Sequence, residues 1–253
     1  LNEGEIVAGF FSKLLGKSGD EAEPLRPSSG DPFDMDWGSG AEEDAVIYQV
    51  SSVLFRYPSE EIRQTIPELL ELAHRIDNPA FVEAVEQIRD WYASAPLEKI
   101  AAEYVQEYDL SRRHALHLSY WTEGDTRRRG EALGRFKKMY RDSGMVTDLH
   151  GELPDYLPLV LEFAALIDRK SGRAALQAYR PSLELLRLAL RDDKLAFHGL
   201  VECICATLPG ESPEDVQHIQ KLAGFGPPTE QVGLGASDPR LLPLLQPQSG
   251  AHR

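Results

Sequence analysis

The sequence feature that most constrains the fold is a helical spacing of apolar residues that recurs across most of the chain. In DAVIYQVSSVLFRYP the apolar side chains return every three or four residues, and NPAFVEAVEQIRDWYAS repeats the pattern. No segment shows the strict alternation or the enrichment in β-branched residues that is typical of a strand. We therefore predict an all-α fold, with a single helical domain over residues 43–209.

The two ends of the chain differ from this domain in composition. Residues 1–42 contain DEAEPLRPSSGDPFDMDWGSGAEED, which is dense in acids, proline and glycine and is more easily solvated than packed. Residues 210–253 continue as a short helical segment and then become rich in proline and glycine, which interrupt helices and strands alike. We predict that both are flexible extensions.

Local signals predict where several helices begin and end. Ser59 and Asn78 precede apolar helical patterns and are candidate N-caps. Pro67 is expected to kink or split the helix that follows Ser59. Gly144 and Gly172 stand where helix C-caps belong, so each is predicted to end a helix.

Charge and hydropathy limit the classes of partner. The formal net charge is -14 and the pI is about 5.0, so the mean field of the protein repels a nucleic-acid backbone and favours a basic or apolar protein segment. No apolar run approaches the roughly 18 residues that a membrane helix needs, and the first residues lack the pattern of a signal peptide. We expect a soluble, cytoplasmic protein that does not insert into membranes.

Candidate catalytic and metal-binding patterns are few. An HxxH at 114–117 and one ExxH at 71–74 are present, but a di-iron bundle needs the ExxH twice with two further glutamates. Cys203 and Cys205 lie two residues apart on a predicted helix, so their thiols point to opposite faces and are expected to be reduced core residues. Nucleophile elbows and phosphate-binding loops are also missing. We predict that the protein is not an enzyme and holds no metal or permanent cofactor.

An unusually polar stretch lies inside this apolar framework. The run EYVQEYDLSRRHALHLSYWTEGDTRRR at 103–129 mixes aromatic rings with charged groups; its candidate binding residues are Tyr104, Asp109, Arg112, His114, Tyr120, Asp125 and Arg127. One interpretation is a helix end with solvated arginines, in which Asp125 or Thr126 caps the next helix. The other is a peptide-binding cleft, in which the rings supply contact area and the charges orient the peptide.

A second candidate stretch is ELPDYLPLVLEF at 152–163. Pro154 fits the first turn of a helix, Glu152 or Asp155 complements the positive end of its dipole, and Leu157 begins the buried stripe. Glu162 brings a carboxylate close to the core. It either forms an ion pair with an arginine among residues 129–135 or recognises a basic peptide.

These two stretches, in this order and close spacing, resemble the NarJ family of nitrate reductase delta-subunit chaperones, within the wider TorD-like group of redox-enzyme maturation chaperones. The resemblance rests on LSRRHALHLSYWTEGDTRRRGEALGRFKKMYRDSG and ELPDYLPLVLEFAA and covers residues 45–209. It implies a helical chaperone outside the finished enzyme. Such a chaperone holds the N-terminal segment of the catalytic alpha subunit and assists insertion of the molybdenum cofactor, molybdopterin guanine dinucleotide, before membrane docking.

The resemblance also indicates which residues form the partner site. Its polar and acidic motif positions fall on the candidates above, and we expect Asp125, Asp155 and Glu162 to be the charged members of a peptide site. Three alternatives remain: a chaperone for another molybdoenzyme, such as a sulfoxide or amine-oxide reductase, and, from other classes, a helical metalloenzyme or a structural subunit of a membrane complex. Residues 9–16, GFFSKLLG, are themselves basic and amphipathic, so they either occupy the groove of the same chain or belong to a disordered extension.

Overall fold

The computed structural model describes residue 33, residues 35–123, 127–144 and 151–216, and residue 219. Over these residues the chain forms helices and no strands, which confirms the all-α prediction. A π-helical turn, Val105–Asp109, continues directly from α4. The α-helices are α1 Glu42–Leu54, α2 Glu60–Ala73, α3 Pro79–Ser94, α4 Leu97–Tyr104, α5 Leu118–Glu123, α6 Arg127–Asp142, α7 Leu157–Leu166, α8 Arg169–Ala178, α9 Arg180–Asp192 and α10 His198–Thr207.

The predicted caps of α2 and α3 are confirmed. The Ser59 hydroxyl accepts a hydrogen bond from the backbone N–H of Ile62 at 3.2 Å, and the Asn78 side chain accepts one from Phe81 at 3.0 Å. Each bond satisfies a backbone donor that the first turn of a helix leaves unpaired. Pro67 lies inside α2, which is continuous from Glu60 to Ala73, so the predicted split does not occur.

The boundary between α7 and α8 differs from the sequence prediction. Helix α7 begins at Leu157 rather than near Pro154, and Pro158 occupies its first turn, where a missing N–H costs little. Gly172 does not end this helix but lies within α8, which Asp168 caps. A Cβ at Gly172 would stand 2.4 Å from the Cα of Ala164 on α7. The glycine therefore permits close packing of α7 against α8.

The helices enclose one apolar core. Helix α1 packs against α7, α2 and α10, and α10 also contacts α3 and α9. The largest fully buried side chains come from almost every part of the described chain: Tyr48, Tyr104, Phe55, Phe81, Phe136 and Phe197. Within the described residues, the longest apolar helices are too short or too polar to cross a membrane.

Part of the predicted N-terminal extension packs against this body. The ring of Phe33 meets Phe136 of α6 edge-on, with centroids 5.2 Å apart, and meets Tyr179 at 5.9 Å. The Arg135 guanidinium lies 5.5 Å from the centre of the Phe33 ring, a cation–π distance. Asp36 forms an ion pair with Lys170 of α8 at 2.7 Å. The chain is thus attached to the body well before α1 begins.

Candidate functional site

The two polar stretches identified in the sequence meet in space. The backbone N–H of Leu118 donates to the Asp155 carbonyl at 3.0 Å, and the N–H of Leu157 donates to the Leu116 carbonyl at 2.8 Å. Between them, His117 and Tyr156 form an isolated antiparallel bridge, with ring centroids 5.4 Å apart. The loop before α5 and the loop before α7 are therefore joined into one unit.

Asp155 builds this junction from the inside. Its carboxylate accepts hydrogen bonds from the Ser119 backbone N–H at 3.0 Å and from the Ser119 hydroxyl at 2.5 Å, and the residue is fully buried. It therefore caps the first turn of α5, a helix distant in sequence, rather than the helix that follows it. The partner-binding role predicted for Asp155 stays a prediction, and the carboxylate does not reach the surface.

Asp109 and Glu152 place two exposed carboxylates beside this junction, one from each stretch. Burial raises the pKa of Asp109, and the nearby charge of Glu152 raises it further. Burial also lowers the pKa of His117, against the attraction of Asp155, Glu152 and Asp109. Because the charges of these two exposed carboxylates interact unfavourably, the surface around them favours an incoming cation.

Two hydrogen-bonded tyrosines, Tyr104 and Tyr156, lie at the junction. The Tyr104 hydroxyl donates to the Phe55 carbonyl at 2.7 Å and lies 3.2 Å from the Tyr156 hydroxyl. Burial raises the pKa of Tyr104 far above its ordinary value and that of Tyr156 to about 12, so both phenols are neutral. Tyr104 is almost completely buried and holds Tyr156 in place rather than contacting solvent.

Glu162 forms an ion pair, one of its two predicted roles, but with an arginine outside residues 129–135, and its predicted role in peptide binding stays a prediction. Its carboxylate accepts a hydrogen bond from the Arg56 guanidinium at 2.8 Å, and both side chains are partly exposed. The alternative of an arginine among residues 129–135 is wrong, because Arg56, two residues after the end of α1, contacts Glu162 on α7. The pair leaves Glu162 at the edge of the surface.

Three exposed apolar residues directly follow charged residues of this region in the chain. Tyr57, Leu110 and Leu153 are 54%, 69% and 38% exposed and directly follow Arg56, Asp109 and Glu152 in the chain. The Tyr57 ring packs edge-on against Tyr104 at 5.8 Å, which ties it to the same junction. We call the group formed by Tyr57, Asp109, Leu110, Glu152, Leu153 and Tyr156 the motif surface.

Sequence reasoning missed the apolar members of this surface. Leu153 lies in the stretch that carried the resemblance but was not predicted to bind, Leu110 was given no role, and Tyr57 fits the apolar pattern of DAVIYQVSSVLFRYP. The available signal was position, since each follows a charged residue outside the apolar stripe of a helix.

The remaining predicted site residues lie elsewhere. His114 is buried, with its Nε2 atom 2.8 Å from the Asp193 carboxylate, and Leu157 belongs to the core. Arg112 and Arg127 are exposed, Arg127 at the first residue of α6. Tyr120 is half-buried under the Arg129 guanidinium, which lies 5.5 Å from its ring centre. Asp125, with its predicted capping role, lies outside the described residues.

Metal-binding and thiol chemistry find no support in the part of the chain described by the structure. No group of three or more His, Cys, Asp or Glu side chains converges there as metal ligands would. Cys203 and Cys205 are free and buried, and burial raises the pKa of the Cys203 thiol to about 11. Such thiols are protonated and unreactive at neutral pH.

These observations define an all-α protein with a surface assembled from three separate parts of the chain. Residues 76–200 match the family model described as nitrate reductase delta subunit. The match confirms the resemblance noted from the two sequence stretches, both of which lie within residues 76–200.

Named relatives extend the comparison. The chain is 39% identical over 181 residues to the nitrate reductase-like protein NarX of Mycobacterium tuberculosis. The aligned residues cover 72% of this chain and 25% of that protein. It therefore spans about a quarter of the length of this relative. It is 29% identical over 163 residues to NarJ of Bacillus subtilis, covering 64% of this chain and 88% of that protein. The nitrate reductase molybdenum cofactor assembly chaperone NarJ of Escherichia coli is 30% identical over 152 residues, 58% of this chain and 64% of that protein.

Proposed function

We propose that this chain is an assembly chaperone for a respiratory nitrate reductase. It binds the N-terminal segment of the catalytic alpha subunit in the cytoplasm and assists insertion of the molybdenum cofactor before the enzyme docks at the membrane. It acts by binding rather than as an enzyme, and it is not part of the mature complex. The observation that carries the proposal is the family match over residues 76–200, which includes both stretches that build the motif surface.

The composition of the motif surface supports peptide binding. Tyr57, Leu110 and Leu153 offer apolar area that a partner would remove from water, at roughly 25 cal/mol per Å² buried. Asp109 and Glu152 offer carboxylates that orient a cationic side chain of the partner. A basic amphipathic segment, with apolar side chains on one face and lysine or arginine at its border, has the matching chemistry.

In this proposal the cofactor is bound by the alpha subunit and not by this chain. A chaperone that holds the N-terminal segment of the alpha subunit keeps that subunit from closing or docking before its cofactor is in place. The free energy for this comes from segment binding, since a ligand shifts an equilibrium only by its differential affinity for the two states.

Titration of a synthetic peptide with the first residues of the alpha subunit tests the proposal. We expect isothermal titration calorimetry to give micromolar binding, on the order of -8 kcal/mol. Substitution Leu153→Asp should weaken binding at least tenfold, because a charge then faces the apolar side of the peptide. Ile167→Asp is the matched control, since Ile167 is similarly exposed, at 41%, but lies beyond the opposite end of α7.

Affinity purification of the tagged full chain identifies the partner in cells. Recovery of an alpha subunit without its cofactor supports the proposal. Recovery of a different molybdoenzyme, such as a sulfoxide or amine-oxide reductase, would assign the chain to a sister chaperone instead. Equal peptide binding by the Leu153→Asp and Ile167→Asp variants would remove the motif surface from the proposal.

A further inference from the structure

We propose that residues 6–17 of this chain, IVAGFFSKLLGK, bind to the motif surface as an intramolecular ligand and compete there with the partner segment. The inference concerns regulation of the proposed partner site and rests on the proposed function. We call these residues the self-segment. They lie outside the described residues. Their sequence, the point where the chain joins the body and the chemistry of the motif surface support the contact.

The sequence of the self-segment has the chemistry that the motif surface favours. Apolar side chains recur at helical spacing in Ile6, Phe10 and Leu14, and Val7, Phe11 and Leu15 extend the same side of the pattern. Lys13 and Lys17 fall at the border of that apolar pattern and give the twelve residues a net charge of +2. The rest of the extension is acidic, so positive charge is concentrated in this one segment.

The motif surface supplies the complementary groups. Asp109 and Glu152 are exposed carboxylates whose charges interact, because the charge of Glu152 contributes to the raised pKa of Asp109. Leu110 and Leu153 are exposed apolar residues that directly follow these two acids in the chain, and the exposed Tyr57 packs on Tyr104 of the same junction. A lysine between the two carboxylates relieves their repulsion, while the phenylalanine and leucine side chains cover the apolar residues.

The attachment of the extension places the self-segment within reach. Phe33 is fixed against Phe136 of α6. One helical turn further along α6, the Tyr140 hydroxyl donates to the Pro154 carbonyl at 2.8 Å, inside the loop that carries Glu152 and Leu153. The anchor of the extension and the loop of the motif surface therefore contact neighbouring positions on one helix.

The length of the connection permits the contact with a wide margin. Residues 18–32 separate the self-segment from Phe33, and a connection of this length spans up to about 50 Å. A helical domain of this size is about 40 Å across, so even the far side of the body would be reachable.

Tethering makes a weak contact effective. A tether of this length gives an effective concentration on the order of 1 mM, so a self-segment with a dissociation constant near 100 μM would occupy the surface about 90% of the time. The apparent affinity for the partner then falls about tenfold, because the partner binds only the unoccupied fraction. A partner segment with more apolar anchors still displaces the self-segment.

Two substitutions in the full-length chain test the inference. Leu14→Asp places a charge in the apolar pattern of the self-segment, and we expect the chain to bind the alpha-subunit peptide about tenfold more tightly. Leu25→Asp is the matched control, since it makes the same chemical change in the same extension outside the self-segment and should leave the dissociation constant unchanged. Both variants should keep the circular dichroism spectrum of the unsubstituted chain.

A direct titration makes the test independent of the partner. A synthetic peptide of residues 5–18, added to the Leu14→Asp chain, should bind with a dissociation constant near 100 μM. Binding should be lost when Glu152→Lys is introduced as well, because the added lysine repels Lys13 and Lys17. Failure of this peptide to bind, or binding that Glu152→Lys leaves unchanged, would overturn the inference.

The outcomes separate this inference from the proposed function. If the alpha-subunit peptide binds equally well to the Leu14→Asp and Leu25→Asp chains, the self-segment is not a competitor and the chaperone proposal stands. If the alpha-subunit peptide binds to neither, the proposed partner is wrong, and the residue 5–18 peptide alone decides the inference. A concentration-dependent dimer that Leu14→Asp abolishes would assign the contact to a second copy and overturn the intramolecular form.

Discussion

At the scale of single residues, Asp155 determines how the two loops of the motif surface fit together. Its carboxylate holds both the backbone N–H and the hydroxyl of Ser119 at the start of α5. We expect Asp155→Ala to lower the free energy of unfolding by about 2 kcal/mol, since it removes a cap and leaves a buried N–H unpaired. Urea unfolding followed by circular dichroism measures the change.

Ser119→Ala is the control for this substitution. It removes the hydroxyl bond and keeps the backbone bond, so its cost should be about 1 kcal/mol, smaller than that of Asp155→Ala. If Asp155→Ala instead unfolded at the urea midpoint of the unsubstituted chain and lost only peptide binding, the capping role would be refuted. The partner-binding role predicted from the sequence would then be supported.

The contrast between Ser59 and Asp155 shows which residue roles a sequence reveals. Ser59 bonds a backbone group three residues away, so its role follows from local order alone. Asp155 bonds Ser119, and Glu162 pairs with Arg56, across 36 and 106 residues of sequence. Because such partners are chosen by the packing of helices, the residues could be singled out but their contacts could not be predicted.

At the scale of elements, helix α9 holds the segment that follows α10 through buried charge. The Arg180 guanidinium donates to the carbonyls of Leu208, Pro209 and Gly210. Glu184 lies between Arg180, at 3.3 Å, and Arg187, at 2.7 Å, and its side chain is only 2% exposed. Because Arg180 binds backbone carbonyls, these contacts depend little on the side chains of residues 208–210.

We expect Glu184→Ala to cost about 3–5 kcal/mol of folding free energy, because two arginines are then left without their buried counter-charge. Glu162→Ala is the comparison. The Glu162 side chain is 29% exposed in its ion pair with Arg56, so this substitution should cost at most about 1 kcal/mol. Thermal and urea unfolding of both variants provide the measurement. Similar losses for the two would mean that burial does not set the strength of the α9 cluster.

Helix boundaries were predictable where a residue type has one structural use and not where it has several. Asn78 followed by Pro79 combines a preferred N-cap residue with proline at the first helical position, and α3 begins there. Glycine either ends a helix or permits a close approach between helices. Gly172 serves the second purpose, and only the position of Ala164 on α7 decides between them.

At the scale of the whole molecule, the sequence predicted the kind of fold but not its arrangement. Apolar periodicity reports that each helix buries one face, which is sufficient for the all-α class. It does not report which helix covers that face. The packing of α1 on α7 and the contact of Phe33 with α6 therefore could not be predicted from it. The motif surface depends on that arrangement, because its residues come from three separate parts of the chain.

The stability of the whole molecule should fall as the pH is lowered through the histidine range. Burial lowers the pKa of His117 and of His198, so both stay neutral in the folded protein at a pH where the unfolded chain is already protonated. The unfolded state then binds more protons, and the free energy of unfolding decreases as the pH falls below about 6.5, the ordinary histidine pKa, toward the lowered values.

Each histidine contributes a slope of at most about 1.4 kcal/mol per pH unit, and less for His198, whose ring is partly exposed to water. Urea unfolding at a series of pH values between about 5.5 and 7.5 measures this dependence, a range above most carboxylate titration. The variant His117→Gln with His198→Gln should show a flatter profile, since glutamine does not titrate. Asp109 acts with the opposite sign, because its pKa is raised in the folded protein. A steeper profile in the double variant would show that the two histidines are not held neutral.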